Sequence, residues 1–285
     1  MGNGTVLVTD GHWTKTVAAI LSLSAAGLSV WVRETSRFAA GMLSRYPQKR
    51  FVTPSPLAAP DDFLHSLIAL VQQHKPDVLL PMELTTQLLL SEHRHHFTDH
   101  TCFPFAPHDI LMVAASKIKA TQAAQEAGLI TPASTPVTRQ TSAQTIIANL
   151  GLSLVLKPDL GEGGRGLFYC QNEAELVQAL SNIPEDCTYL AQQRIPHGGS
   201  GLGVSVLMDE SQQVLASFTH KRMREYPIGG GPSSCRQAIS HPQAERDAIS
   251  LLTHLKFQGV AMVEFKEDPT TQQAVFLEIN PRFWG

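Results

Sequence analysis

The chain has 285 residues, 43% hydrophobic and 16% charged, with 22 Lys+Arg against 25 Asp+Glu; at roughly 100 to 200 residues per domain this is apolar material for about two lobes. A formal net charge of -3 offers no basic field to a nucleic-acid backbone. The most apolar stretch, 17–32, is broken by Ser22, Ser24, Gly27 and Ser29, short of the roughly 20 clean residues of a membrane span, and no signal-peptide pattern opens the chain, so a cytoplasmic protein with neither nucleic-acid nor membrane partners is expected.

From the N-terminus the pattern reads strand (5–9), turn (Asp10-Gly11), helix (16–26, stopped by Gly27) and strand (28–32). Two strands about 20 residues apart with a helix between them form a βαβ unit, which predicts a parallel sheet. Residues 61–74 read as a helix capped by Asp61 or Asp62, and PDVLLP at 76–81 as a buried strand between prolines. This lobe is expected to end near residue 110. His93, His95 and His96 occur in a polar stretch without closing ligands, so no metal is expected there. Residues 114–127 carry apolar residues at helical spacing, with Lys117 and Lys119 in the first turns and Gly128 as C-cap. Hairpins follow, with strands at 152–157, 167–170, 189–195, 203–208 and 214–221, helices near 173–180 and 244–255, and a final hairpin of 260–266 with 275–279. Cys102, Cys170, Cys187 and Cys235 lie far apart with no CxxC pair and are expected to be reduced thiols.

Three segments carry chemistry. In the first, LVLKP at 154–158 runs into Gly161-Glu162-Gly163-Gly164-Arg165-Gly166 and then LFYC. The glycines at 161, 163 and 166 satisfy GxGxxG, but a dinucleotide fingerprint opens a helix and this one leads into a strand. A P-loop is excluded because GxxxxGK[ST] is missing. What remains is a hairpin whose glycine-rich connection can cup phosphate oxygens with backbone amides while Lys157 adds a point charge. An ordinary glycine-rich surface hairpin accounts for the same residues equally well.

The second segment pairs VAMVEF at 260–265 with FLEINPR at 276–282. Side chains alternate along a strand, so Glu278 and Asn280 share a face. If the hairpin turns about Thr271, Glu264 and Glu278 stand opposite one another, a like-charge pair that destabilises an apolar sheet. A divalent cation reverses the sign of that argument, because two carboxylates and the Asn280 amide form a hard oxygen set suited to Mg²⁺. Arg282, just beyond, can neutralise a transferring phosphoryl group. The third segment is HKRMREYP at 220–227, continuing to GGGPSS at 229–234. Its cations Lys221, Arg222 and Arg224 before a glycine turn suit a carboxylate or acyl phosphate, and a solvated charge run is the equal alternative.

Together the segments resemble the ATP-grasp superfamily, specifically the carboxylate-amine ligases related to the large subunit of carbamoyl phosphate synthetase. The most specific pieces are VEF around Glu264, LEINPRFWG at 277–285 and HKRMREYPIGGGPSS at 220–234. The resemblance implies a Rossmann-like pre-ATP-grasp domain over 1–110, a linker helix and small lobe with the glycine flap over 111–188, and a large lobe over 189–285. Relatives usually continue past NPRFWG, so the α/β and α+β fold is expected to be short at its C-terminus. It implies ATP contacts from Lys117, Lys157, the flap glycines Gly161, Gly163, Gly164 and Gly166, and Gln192, with the backbone of Gln193 and Ile195 at adenine. It further implies Mg²⁺ (or Mn²⁺) at Glu264, Glu278 and Asn280, Arg282 and Arg224 as catalytic cations, and a carboxylate held by Lys221, Arg222, Arg224 and Ser233. Hinges of the family often carry an acidic ribose ligand, where this chain has Pro196-His197-Gly198-Gly199-Ser200.

The implied activity is ADP-forming ligation of a carboxylate to an amine through an acyl phosphate. Two other functions fit the same residues: a non-catalytic or partner-dependent nucleotide-binding module, and carbamoyl or carboxy phosphate formation. The partners implied are a small-molecule carboxylate and amine, with either a homodimer or a partner chain that completes the C-terminus.

Overall fold

In a computed structural model, which describes residues 4–161, 166–226 and 233–284, the N-terminal apolar runs pair as parallel strands. β1 (Thr5–Val8), α1 (Thr14–Ala25), β2 (Ser29–Glu34), α2 (Ala40–Leu43), β3 (Lys49–Val52), α3 (Pro60–His74), β4 (Val78–Leu80) and α4 (Leu84–Glu92) follow in order, and the sheet runs β3-β2-β1-β4. Alternation along β1 sorts its side chains between two cores: Val6 and Val8 pack with Ile20 and Met42, Leu7 with Phe63, Leu67 and Leu79. The cap expected of Asp61 or Asp62 is corrected. α3 begins after Ala59 with Pro60 in its first turn, and the two aspartates sit in that turn without a side-chain cap bond, where they complement the helix dipole. No helix among the described residues is long and apolar enough to cross a membrane.

The chain divides into two units. One comprises Met1–Leu111, Gln258–Val260 and Pro281–Gly285, the other Met112–Phe257 and Ala261–Asn280. The single helix expected over 114–127 is two, α5 (His108–Ala115) and α6 (Lys117–Glu126). Apolar spacing is continuous through the break, so periodicity alone misses it. Ser116 is the N-cap of α6: its hydroxyl accepts from the Lys119 amide at 3.1 Å and donates to Asp159 Oδ1 at 2.7 Å. Asp159 also takes the next two amides, Lys117 N on its carbonyl at 3.0 Å and Ile118 N on Oδ1 at 2.9 Å. Three bonds thus fix the first turn of α6 to Asp159.

The second unit holds two antiparallel layers. β5 (Ser134–Val137), α7 (Ala143–Leu150), β6 (Leu154–Pro158), β7 (Phe168–Cys170), α8 (Glu173–Ser181) and β8 (Tyr189–Gln193) form a sheet of order β5-β8-β6-β7 over a core of Leu154, Leu156, Leu176, Leu180 and Ala191. β9 (Gly201–Met208), β10 (Val214–Glu225), β11 (Ser233–Ala238), α9 (Pro242–His254), β12 (Gly259–Glu267) and β13 (Ala274–Asn280) complete the unit, with sheet order β11-β10-β9-β12-β13.

A histidine is sealed into this second sheet. His220 of β10 pairs with Gly203 of β9, and a Cβ at 203 would lie 2.4 Å from the His220 ring, so only glycine leaves the ring its place. Burial, reinforced by Arg236 and Arg222, pushes the His220 pKa from the usual 6.5 down to about 4. The unfolded chain therefore binds a proton that the folded chain refuses between these values. Stability from this site is complete above pH 6.5 and declines as pH falls towards 4. Urea midpoints measured down this range should fall in the native chain, and His220→Asn should flatten the decline. By the same measurement at neutral pH, Ser116→Ala should cost about 1 kcal/mol through loss of the α6 cap.

Candidate functional site

The β12–β13 ladder places Glu264 directly opposite Glu278, and Met262 opposite Asn280. Two carboxylates at cross-strand distance repel, and Glu264 is buried, so each needs a countercharge. Arg222 of β10 forms an ion pair with Glu264. Lys117, at the pinned start of α6, brings its Nζ to 3.5 Å from Glu278 Oε2 while donating to the Gly161 carbonyl at 2.9 Å. The Asn280 amide lies 3.1 Å from Glu264 Oε1 and 3.5 Å from Glu278 Oε1. Its N and O ends are interchangeable by a flip, which would turn an oxygen towards the same point.

This donor set fits a hard divalent cation. Among the described residues no group of three His, Cys, Asp or Glu side chains is placed to hold a metal ion, so the third donor here is the Asn280 amide, and Mg²⁺ takes just such carboxylate and carbonyl oxygens with water and phosphate completing its shell.

A cleft of about 850 Å³ opens beside the set, with Val155, Lys157, Tyr169 and Gln192 of the smaller sheet on one wall and Arg222 and Glu264 of the larger sheet on the other. Register explains the first wall: Val155 pairs with Gln192 and with Tyr169, and Lys157, two residues on, shares their face. Lys157 Nζ donates to Gln192 Oε1 at 2.7 Å. Burial holds the Lys157 pKa below the usual lysine value; Glu278 and Glu264 oppose that and Lys117 adds to it. Gln192 is nearly inaccessible, and its Nε2 has no partner among the described residues. At the strand's end the Gln193 amide is taken by the Ala133 carbonyl at 2.8 Å and the Arg194 amide by Ser153 at 3.0 Å.

The expected residues are thus largely gathered. Lys157, Gln192, Gln193, Ile195, Arg222, Arg224 and Glu264 line the cleft, and Lys117, Glu278 and Asn280 join them through the bonds above. Gly161 supplies the carbonyl that holds Lys117. Gly166 has φ +74° with Tyr189 Oη 3.2 Å from where a Cβ would stand; Gly163 and Gly164 lie outside the described residues. Lys221 pairs with Leu202 and Gln237, so it projects to the face opposite Arg222. Ser233 opens β11 across from Glu225, its hydroxyl 3.4 Å from the Arg224 carbonyl. Arg282 belongs to the segment grouped with the first unit, where its guanidinium donates to the Phe283 carbonyl at 2.9 Å.

Sequence reasoning missed Asp159, Arg236 and the role of Gly203. Asp159 follows Lys157-Pro158, and nothing local in the sequence ties it to the start of α6, 43 residues before it. Arg236 sits in SSCRQA, an edge strand with no apolar alternation to reveal which way the guanidinium faces.

A profile of the ATP-grasp domain matches residues 114–285. The arginine-specific large chain of carbamoyl phosphate synthase from Lactiplantibacillus plantarum is 25% identical over 160 residues, 53% of this chain. Among solved structures, the biotin carboxylase domain dimer of Hydrogenobacter thermophilus 2-oxoglutarate carboxylase, in complex with MgADP, ADP and bicarbonate, superposes with a TM-score of 0.74 at 15% identity over 99% of the chain. The L-amino acid ligase of Bacillus licheniformis does so with 0.75, also at 15% identity and 99% coverage. At that identity the two structures share the fold. The chain spans 16% of the length of the synthase and 65% and 68% of the two solved chains. With a profile match over more than half its length, the chain belongs to the ATP-grasp family.

Proposed function

We propose that the second unit binds ATP with Mg²⁺ in the cleft and activates a small carboxylate as an acyl phosphate for capture by an amine. The observation that carries this reading is the opposed Glu264–Glu278 pair with Asn280 beside it, each carboxylate held by a cation, Arg222 or Lys117, that suits a phosphate or carboxylate as well. The names of the two solved relatives support the substrate classes: one holds MgADP and bicarbonate, the other is an amino acid ligase.

The chain's own residues then have distinct tasks. Lys157 and Lys117 neutralise phosphate oxygens, and a phosphate beside Lys157 restores the charge that burial disfavours. The Gln193 amide is already used, so its backbone meets adenine through the carbonyl oxygen, with the Ile195 amide as donor. Gln192 offers a buried amide whose Nε2 awaits an acceptor. Mg²⁺, when bound at Glu264, Glu278 and Asn280, supplies charge neutralisation and a template for the phosphate chain. Arg222 and Arg224 hold the carboxylate whose oxygen attacks the γ-phosphorus as the bond to ADP breaks. The amine nitrogen then attacks the acyl carbon, expelling phosphate and giving up its proton to water. Positioning and charge neutralisation do the work, and no side chain acts as covalent nucleophile.

ADP release with Mg-ATP and a pool of amino acids tests the reading. Turnover is expected in the native chain, and Glu278→Gln should lower it by about 10²-fold or more. Lys157→Ala should weaken ATP binding about tenfold or more. ATP binding without turnover under any carboxylate and amine mixture would contradict ligation and leave a nucleotide-binding module. ADP release driven by bicarbonate alone would redirect the reading to carboxy phosphate formation.

A further inference from the structure

The face of the larger sheet that carries Glu264 holds a second like-charged pair, of the opposite sign. Arg222 on β10 stands directly across from Arg236 on β11, and like charges in that relation destabilise a sheet. Arg222 is relieved by Glu264. Arg236 donates from NH2 to the Ser233 carbonyl at 3.5 Å, and its buried Nε has no partner among the described residues. Burial, with Arg222 adding and Glu264 opposing, holds its pKa below the usual guanidinium value.

The surroundings are cut to leave room and polar atoms. A Cβ at Gly201 would lie 3.1 Å from Arg222 Cδ, so the arginine stem lies flat against bare backbone. Ser205 pairs with Phe218 and His220 with Gly203, which puts both on the face of Arg222. Ser205 Oγ and His220 Nδ1 are each buried without a partner among the described residues. Three buried polar atoms on one face therefore lack partners around a pair of guanidiniums that share one carboxylate.

We propose that Arg222 and Arg236 together form the seat for the oxyanion of the substrate, a carboxylate or the phosphate derived from it, and that a divalent cation at Glu264 and Glu278 opens this seat. The proposal rests on the metal reading above. Before the metal arrives, Glu264 is the anion that holds Arg222. Once Glu264 turns to a divalent cation, Arg222 and Arg236 are left as an uncompensated pair within bidentate reach of an incoming oxyanion. Anion binding is thus coupled to metal binding through one carboxylate, and the coupling is reciprocal. A basic strand reading of Lys221, Arg222 and Arg224 misses this, because the partner of Arg222 comes from the neighbouring strand.

Inorganic phosphate is the probe, titrated calorimetrically into the full chain loaded with a non-hydrolysable ATP analogue, which fills the nucleotide phosphate positions, in the presence of Mg²⁺ or of EDTA. Phosphate should bind with Mg²⁺, and about tenfold or more weakly with EDTA. Arg236→Gln should weaken it about tenfold or more while the analogue's affinity stays within about twofold, and Arg236→Lys should recover part of the loss. Phosphate binding that is absent from the native chain, indifferent to Mg²⁺, or unchanged in Arg236→Gln would overturn the proposal. Should Arg236→Gln not fold, the Mg²⁺ dependence in the native chain decides by itself. Failure of the analogue to bind would count against the nucleotide reading instead, and the seat is then judged by whether Arg236→Gln weakens phosphate binding measured with Mg²⁺ alone.

Discussion

Two carboxylates forced to face one another across antiparallel strands are the constraint around which the second unit is arranged. Glu264 and Glu278 are fixed by the ladder between β12 and β13, and neither can swing away without leaving the sheet. Their repulsion must be met from outside the hairpin. Lys117 meets it from α6 and Arg222 from β10. The position of Lys117 depends in turn on Ser116 and Asp159, which tie the start of α6 to the end of β6. One electrostatic requirement thus links a helix, a hairpin and two sheets. Partly buried ion pairs of this kind contribute little net stability; on the proposed reading they hold charges where a metal and its anionic ligands would take them over.

The smaller sheet applies the same logic to a single cation. Lys157 points into the cleft beside Gln192, and burial disfavours its charge. A group held in that state gains by meeting an anion. Across the cleft the Arg222 and Arg236 pair repeats the pattern with opposite sign to Glu264 and Glu278. In the structure Glu264 is matched by Arg222 and Glu278 by Lys117; on the proposed reading a metal at the carboxylates would free Arg222 for an anion, which would couple the two sites through Glu264.

Much of this was legible in the residues. Period-two alternation put Glu278 and Asn280 on one face, and counting outward from Thr271 put Glu264 opposite Glu278. The count succeeds for a reason it did not contain. Glu267 pairs with Ala274, so the turn is centred between Thr270 and Thr271, and a bulge between Glu264 and Phe265 supplies the missing half-step. Bulges leave no mark in an apolar pattern, and another in β10 between Arg222 and Arg224 decides which basic residues face the cleft. The break at Ser116 was equally hidden, since its partner Asp159 is far off in sequence. The charged edge strand β3 carries no apolar run to read. The parallel pairing of β1 with β2, by contrast, followed directly from strand and helix spacing.

On the proposed reading the opposed carboxylates are a metal site and not merely a pair neutralised by Lys117 and Arg222. Electron paramagnetic resonance of Mn²⁺ titrated into the full chain with ADP tests it most directly. A metal site there binds Mn²⁺ tightly, releases it to Mg²⁺, and loses it in Glu264→Gln and in Glu278→Gln alike. Mn²⁺ binding equally well in both variants would contradict it.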